Sequence, residues 1–269
     1  MQLGVTLRNM GDESTPEMMA SCACAAESAG FESLWVVDHI AIPPDDAEGS
    51  GGRYTDPLGT LAWMAGFTRS IKLGTGVLIL PYRPALPTAK LIATVQELSH
   101  ERLLLGVGIG WMDPEFKALG VPRRERGRRS DELLAFLQDA FANDIVEANG
   151  QQFLFRPRPK APPIFIGGKP KHAITRAVAY GDGLMPMGLE PDAVGDLRTA
   201  YTAATNAAGK PPGGITLMTS IPADDLSKAR ARLDAFEAQG VDRLVCAIRY
   251  RSAQEYESAV HALAEIARS

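Results

Sequence analysis

The sequence predicts an α/β chain closed into a (β/α)8 TIM barrel, and three observations carry that prediction. Short aliphatic runs alternate with longer helical patterns along all 269 residues. Several runs are apolar throughout, as expected of parallel strands covered on both faces. Eight such units in a chain of this length match a closed barrel forming one domain, residues 1–269. A doubly wound open sheet obeys the same alternation and is the structural alternative, because strand count alone does not prove closure.

The first strand is read at 3–7 (LGVTL), followed by a helix over 16–29 that ends before the Gly of SAGF. The second strand, 33–37, opens SLWVVDHIAIP, and the helix at 58–68 follows it. Strand three, 72–78, contains the run Gly74-Thr75-Gly76-Val77 and feeds a helix over 86–99. Strand four, 103–107, is LLLGV, and its helix is read at 131–141. The remaining strands are 164–167, 183–187, 214–219 and 243–248, with helices at 172–179, 191–208, 226–238 and 253–266. Two connections exceed what a barrel needs. After strand two, 40–56 contains PPDDAEGSGG and reads as a lid. After strand four, 111–163 carries a hairpin at 145–155 that turns at Asn149-Gly150.

Composition narrows the function. The chain carries 28 basic and 32 acidic side chains, a net charge of −4, which gives no global attraction to nucleic acid or an anionic membrane. Three cysteines, Cys22, Cys24 and Cys246, lack metal-ligand spacing and fit a reducing compartment. The N-terminus MQLGVTLRNMGDE has no apolar core for a signal peptide, and no run approaches a membrane span. A cytoplasmic protein is expected.

In this architecture chemistry sits at the C-terminal strand ends. Asp38-His39 end strand two, where a buried charge would be costly unless paired, so the pair belongs at an edge. The other three histidines, His100, His172 and His261, fall on helices or a helix start, leaving His39 where a barrel does its chemistry. With no second strand-end His, metal hydrolysis is disfavoured and no metal ligands are assigned. No strand-end Lys offers Schiff-base chemistry; Lys169 follows Gly167-Gly168 in IFIGGKPKHAITRA and reads as anion-facing ahead of a helix N-terminus. GVGIG, 106–110, lacks the third Gly of a dinucleotide fingerprint and opens no first βα unit. The run RRERGRR, 123–129, reads as a solvated loop entering a helix.

Several stretches together resemble the bacterial luciferase-like flavin and deazaflavin oxidoreductases. SLWVVDHIAIP resembles their second strand, and IKLGTGVLILPYRPALPTAKLIATVQELSHERLLLGVGIGW their third-strand to fourth-strand segment. EFKALGVPRRERGRRSDELLAFLQDAF, FRPRPKAPPIFIGG and RAVAYGDGLMPMG resemble the insertion helix and strands five and six. The resemblance spans nearly the whole chain. It implies coenzyme F420, or alternatively FMN, bound at the barrel mouth. Asp38, Thr75, Gly76 and Val77 would lie beside the ring, with a non-prolyl cis peptide that falls by analogy at Gly76–Val77. Gly108 would also be cofactor-binding, and Gly167, Gly168, Lys169 and Gly188 would form the phosphate side. It further implies a homodimer.

The sequence departs from the sugar-phosphate dehydrogenase branch. GVGIGW holds no acidic residue, and Ile40-Ala41-Ile42 stand where that branch has a Trp soon after the His. The expectation is therefore an F420-dependent enzyme moving a hydride to or from a small organic substrate. In it His39 is the acid/base and Asp38 orients it or contacts the ring. An FMN-dependent monooxygenase and a flavin-binding protein without turnover are the alternatives.

Overall fold

The computed structural model describes residues 1–222 and 225–268. Eight parallel strands close a barrel among the described residues: β1 (Gln2–Thr6), β2 (Ser33–Val36), β3 (Lys72–Ile79), β4 (Leu103–Gly108), β7 (Ile164–Ile166), β8 (Gly183–Leu184), β9 (Gly214–Ser220) and β10 (Arg243–Ala247). Each pairs with its sequence neighbours in the barrel, and β1 closes the ring against β10. The closed barrel, rather than the open sheet, is the observed topology. Around it run α1 (Pro16–Ser28), α2 (Pro57–Ala65), α3 (Ala85–Leu98), α5 (Arg126–Ala142), α6 (Pro170–Tyr180), α7 (Pro191–Ala207), α8 (Leu226–Ala238) and α9 (Ala253–Arg268). Between β4 and α5 lies a short helix, α4 (Asp113–Ala118), and after α5 come the antiparallel strands β5 (Ile145–Ala148) and β6 (Gln151–Leu154).

Local chemistry sets the boundaries. Thr15 caps α1 by accepting from the Met18 N–H, and Asp56 caps α2 by accepting from the Gly59 N–H, each with a proline at the next position. The hairpin turns through Asn149 and Gly150, both at positive φ, as a two-residue hairpin turn demands. Three boundaries differ from expectation. Helix α5 starts at Arg126 instead of 131, because Arg128 and Arg129 pair with Glu125, and Arg128 with Glu132, along its surface. This absorbs most of the RRERGRR run. Strand β8 stops at Leu184 instead of 187: Pro186 has no N–H for the ladder, and Met187 rejoins it as an isolated bridge to Met218. Helix α4 has no counterpart in the expected set.

The barrel interior is filled by Trp35, Leu104, Phe165, Met185, Met218 and Val245. Trp35 dictates two glycines. A Cβ on Gly74 would come within 2.3 Å of its ring, and one on Gly4 within 2.8 Å of Nε1. The indole N–H is satisfied by Ser33 Oγ at 2.9 Å. This plug closes the barrel below its C-terminal mouth. Among the described residues no helix is long and apolar enough to cross a membrane.

Candidate active site

The segment after β2 carries His39 out of the barrel wall to the mouth, where its Nδ1 lies 2.9 Å from Oε2 of Glu115 on α4. Glu115 is fully buried and accepts four bonds. Tyr82 O–H donates to Oε2 at 2.7 Å, and the Ile40 and Ala41 N–H groups donate to Oε1. Burial alone would raise this carboxyl, but the bonds from His39, Ile40, Ala41 and Tyr82 outweigh it and hold it down to about 2. Glu115 is therefore a carboxylate at neutral pH and can only accept, so His39 must carry its proton at Nδ1. Nε2 makes no hydrogen bond among the described residues. Tyr82, pushed upward by burial and by the neighbouring carboxylate, stays a hydroxyl donor.

Two aromatic rings frame the imidazole. Tyr54 and Trp111 meet it edge-on, at 5.1 and 6.2 Å between centroids. Trp111 is 64% exposed, and with Ile40 and Met187 it leaves large apolar surface around the mouth.

Asp38 lies where the sequence puts it, but its carboxylate does not touch His39. Arg83 grips it with both terminal nitrogens, NH1 to Oδ2 at 2.6 Å and NH2 to Oδ1 at 2.9 Å, and the Ile79 N–H adds a third bond at 2.8 Å. Arg83 also reaches Asp56 at 2.8 Å. Burial alone would lower the guanidinium, but the bonds to Asp38 and Asp56 outweigh it and raise it. The expectation that Asp38 orients His39 is corrected: its side chain is fully covered and spent on Arg83 and Ile79, and the carboxylate on the imidazole is Glu115. Asp38 instead ties β2 to the end of β3 and to the N-cap of α2.

Strand β3 bulges between Thr75 and Leu78, and the Gly76–Val77 peptide within the bulge is cis. Thr75 is buried and donates to the Gly106 carbonyl at 2.7 Å. Val77 turns its methyls into the space left by two glycines: a Cβ on Gly108 or Gly167 would stand 2.5 or 3.2 Å from them. Those glycines make room for Val77. The N–H of Gly167 donates to the Val107 carbonyl and that of Gly188 to the Met218 carbonyl, both at 2.8 Å, so each is already satisfied within the barrel. Gly168 and Gly188, at φ of 120° and 63°, have open space where a side chain would stand. Lys169 is the N-cap residue of α6 and makes no side-chain capping bond. Pro170 has no N–H, and the His172 and Ala173 N–H groups donate to the Lys169 carbonyl at 3.0 and 2.9 Å, so this corner offers the Lys169 ammonium and the positive end of the helix. His100 and His172 lie outside this cluster, at the end of α3 and in α6. Among the described residues no group of His, Cys, Asp and Glu could hold a metal, and all three cysteines are free.

Sequence reading missed Glu115, Tyr82, Arg83 and Trp111. The available signal was WMDPEF, two acids in an insertion directly after strand four. Spacing cannot tell which acid turns inward. Asp113 faces solvent and pairs with Arg123, whereas Glu115 sits beside the buried Phe116.

The whole chain, residues 1–269, matches the profile of the family described as luciferase-like monooxygenase. It is 31% identical over 255 residues to the F420-dependent hydroxymycolic acid dehydrogenase of Mycobacterium tuberculosis, covering 90% of this chain and 69% of that protein. Its fold superposes on a monooxygenase from Streptomyces bottropensis with a TM-score of 0.81 at 19% identity, covering 98% of both chains. It superposes on an F420-dependent secondary alcohol dehydrogenase, solved with an F420–acetone adduct, with a TM-score of 0.80 at 16% identity, covering 98% of this chain and 97% of that one.

Proposed function

This chain belongs to the luciferase-like monooxygenase family, and on that premise we propose that it is an F420-dependent oxidoreductase moving a hydride between the deazaflavin and a small organic substrate. The observation that carries this reading is the buried, ionised Glu115 holding His39 by Nδ1 at the barrel mouth, with Nε2 making no hydrogen bond among the described residues. The deazaflavin reading is supported by the 31% identical relative that is named as F420-dependent.

The residues present fit a phosphate-bearing planar cofactor. Gly168 and Gly188 leave open space, and Lys169 with the α6 N-terminus offers positive charge there. Gly188 contributes room and curvature, its N–H being committed, while Gly167 makes room for Val77. The Gly76–Val77 bulge, flanked by Thr75 and Gly108, forms the surface for the ring. Bound there, the deazaflavin supplies or accepts the hydride. With Nδ1–H held by Glu115, His39 accepts the hydroxyl proton at Nε2 as an alcohol is oxidised. In the reverse direction the imidazolium, protonated at Nε2 from solvent, gives that proton to the substrate oxygen as a carbonyl is reduced. Glu115 keeps the ring oriented throughout. Trp111, Ile40 and Met187 exclude water around that oxygen, and the 40–56 segment closes over it. Asp38 and Arg83 hold this wall of the mouth in place.

The protein is read as cytoplasmic, on its three free cysteines. It is read as a homodimer through the apolar outer face of α2 and α3. Titration of the purified apo protein with F420 and separately with FMN, following quenching of cofactor fluorescence, tests the reading. F420 binding in preference to FMN is the expected result. FMN binding alone moves the assignment to an oxygen-activating monooxygenase, and binding of neither overturns it.

A further inference from the structure

A cleft of about 810 Å³ opens beside the mouth, between the ends of β1 and β10. Val37 and Met218 form its barrel side, and Gly49 of the lid segment its rim. Its position next to the chemistry follows from two contacts. Val37 directly precedes Asp38-His39, and Met10, on its wall, bridges to Tyr54, whose ring lies against His39.

Three arginines line this cleft: Arg8, Arg249 and Arg251. Arg8 spends NH2 on the Gly49 carbonyl at 3.2 Å and on Glu13 at 3.3 Å, but its Nε is buried with no hydrogen-bond partner. A buried donor without an acceptor is costly and calls for one. Arg249 and Arg251 are exposed, and their side chains make no ion pair or hydrogen bond among the described residues. Of the other exposed arginines, Arg123, Arg128 and Arg158 hold carboxylates, whereas Arg69 and Arg124 also make no side-chain bond among the described residues. Arg249 and Arg251 differ in lining a cleft beside the mouth together with Arg8. The acid on the cleft wall, Glu255, accepts from the Arg251 backbone N–H at 2.7 Å. Against the three arginines stand Glu13, paired with Arg8, and Glu255, so the cleft keeps an excess of positive charge, carried by Arg249 and Arg251, which pair with no carboxylate among the described residues. The position also suits an anion, since the loop after the last barrel strand, here 248–252, is among the places where such barrels bind phosphate.

We propose that the cleft binds an anionic group, a carboxylate or phosphate, carried by the substrate whose oxygen His39 serves. This rests on the reading of the mouth given above and adds the substrate class: an acid whose reacting carbon lies in the apolar mouth while its charged end reaches Arg249, Arg251 and the orphaned Nε of Arg8. Because Arg8 also holds Gly49, an anion seated there joins the lid to the barrel.

The test uses matched probes titrated calorimetrically into the full chain without cofactor: levulinate and its longer homologues, each against its methyl ester, and hexyl phosphate against hexanol. At least one acid binds about tenfold or more tighter than its neutral partner, and in the Arg249→Ala/Arg251→Ala double variant that preference falls to about twofold or less. Neither arginine side chain has a partner to lose among the described residues, so the variant is expected to fold as the parent does, checked by circular dichroism. No acid preference in the wild type, or a preference that survives the double substitution, overturns the proposal. Parallel titration with F420 and FMN separates the sources. If the double variant weakens the cofactor about tenfold and the acids not at all, the anion belongs to the cofactor and the substrate assignment fails. Failure of the wild type to bind either cofactor, with acid preference intact, sinks the redox reading alone.

Discussion

At the scale of single residues, the site rests on one carboxylate that serves four donors. His39→Ala is expected to retain cofactor affinity and lose turnover, since the imidazole bonds only Glu115 among the described residues. Glu115→Gln is expected to lower kcat about ten- to a hundredfold, the usual cost of removing the group that orients a functional histidine. Cofactor affinity should hold, whereas a merely structural role would lower folded fraction and affinity together. Stopped-flow turnover beside cofactor titration separates the two. The same residue predicts acid behaviour. Its folded carboxyl lies at about 2 against an ordinary 4.5, so its contribution is complete above about 4.5 and is lost as pH falls toward 2. The shift corresponds to roughly 3 kcal/mol. Unfolding midpoints measured from pH 5 to 2.5 should fall steeply for the parent and less so for Glu115→Gln; parallel slopes would refute it. His39 and Asp38 were legible because they end an apolar strand, a local conflict that only an edge or a site resolves. Glu115 was not, because its bond to His39 spans 76 residues of sequence, and nothing local distinguishes it from Asp113.

At the scale of elements, the barrel strands were readable because burial on both faces writes them as unbroken apolar runs: β2 and β4 are buried at every position. The ends were less so. Pro186 cut β8 short, and the salt bridges of Arg128 and Arg129 extended α5 backward. Gly76 in β3 and Gly108 in β4 were expected beside the cofactor, yet the space a side chain would take at each is filled from within the protein. Met185 and Met218 approach Gly76 and Gly106, and Val77 approaches Gly108 and Gly167. Gly106 is the tightest of these, since a Cβ there would stand 2.1 Å from the Thr75 carbonyl oxygen. That oxygen is backbone and cannot swing away. Gly106→Ala is therefore expected to cost about 2 kcal/mol or more, lowering Tm by roughly 4–8 °C. Gly209→Ala, at φ of 67° with nothing within 4 Å, should cost only the conformational penalty of about 1 kcal/mol. Thermal melts of the two variants decide it, and an equal loss would show that β3 yields to β4 more readily than the packing implies.

At the scale of the whole molecule, polar and apolar surface are unevenly placed. With a net charge of only −4, long-range repulsion between copies is weak. On α2 and α3, which pack side by side, Trp63, Leu91 and Leu98 remain 41%, 37% and 56% exposed. Leu91 and Leu98 lie two helical turns apart and share a face, and Trp63 stacks edge-on with Phe67 at 4.8 Å. Exposed apolar side chains of this size suit an interface. In the homodimer proposed above, a two-fold axis would set the same face against itself, closing four helices around their apolar stripes. None of the residues placed at the mouth, His39, Glu115, Tyr82 and Trp111, lies on α2 or α3, so in the proposed dimer each site would be built from its own chain. Leu91→Glu/Leu98→Glu should therefore convert a dimer to a monomer, by size-exclusion chromatography with light scattering, with the circular dichroism spectrum preserved. Cofactor affinity should stay within about twofold of the parent, because no residue assigned to the mouth lies on that face. A monomeric parent, or a variant that remains dimeric, would remove α2 and α3 as the interface. A monomeric variant that has lost cofactor affinity would show instead that pairing shapes the barrel mouth.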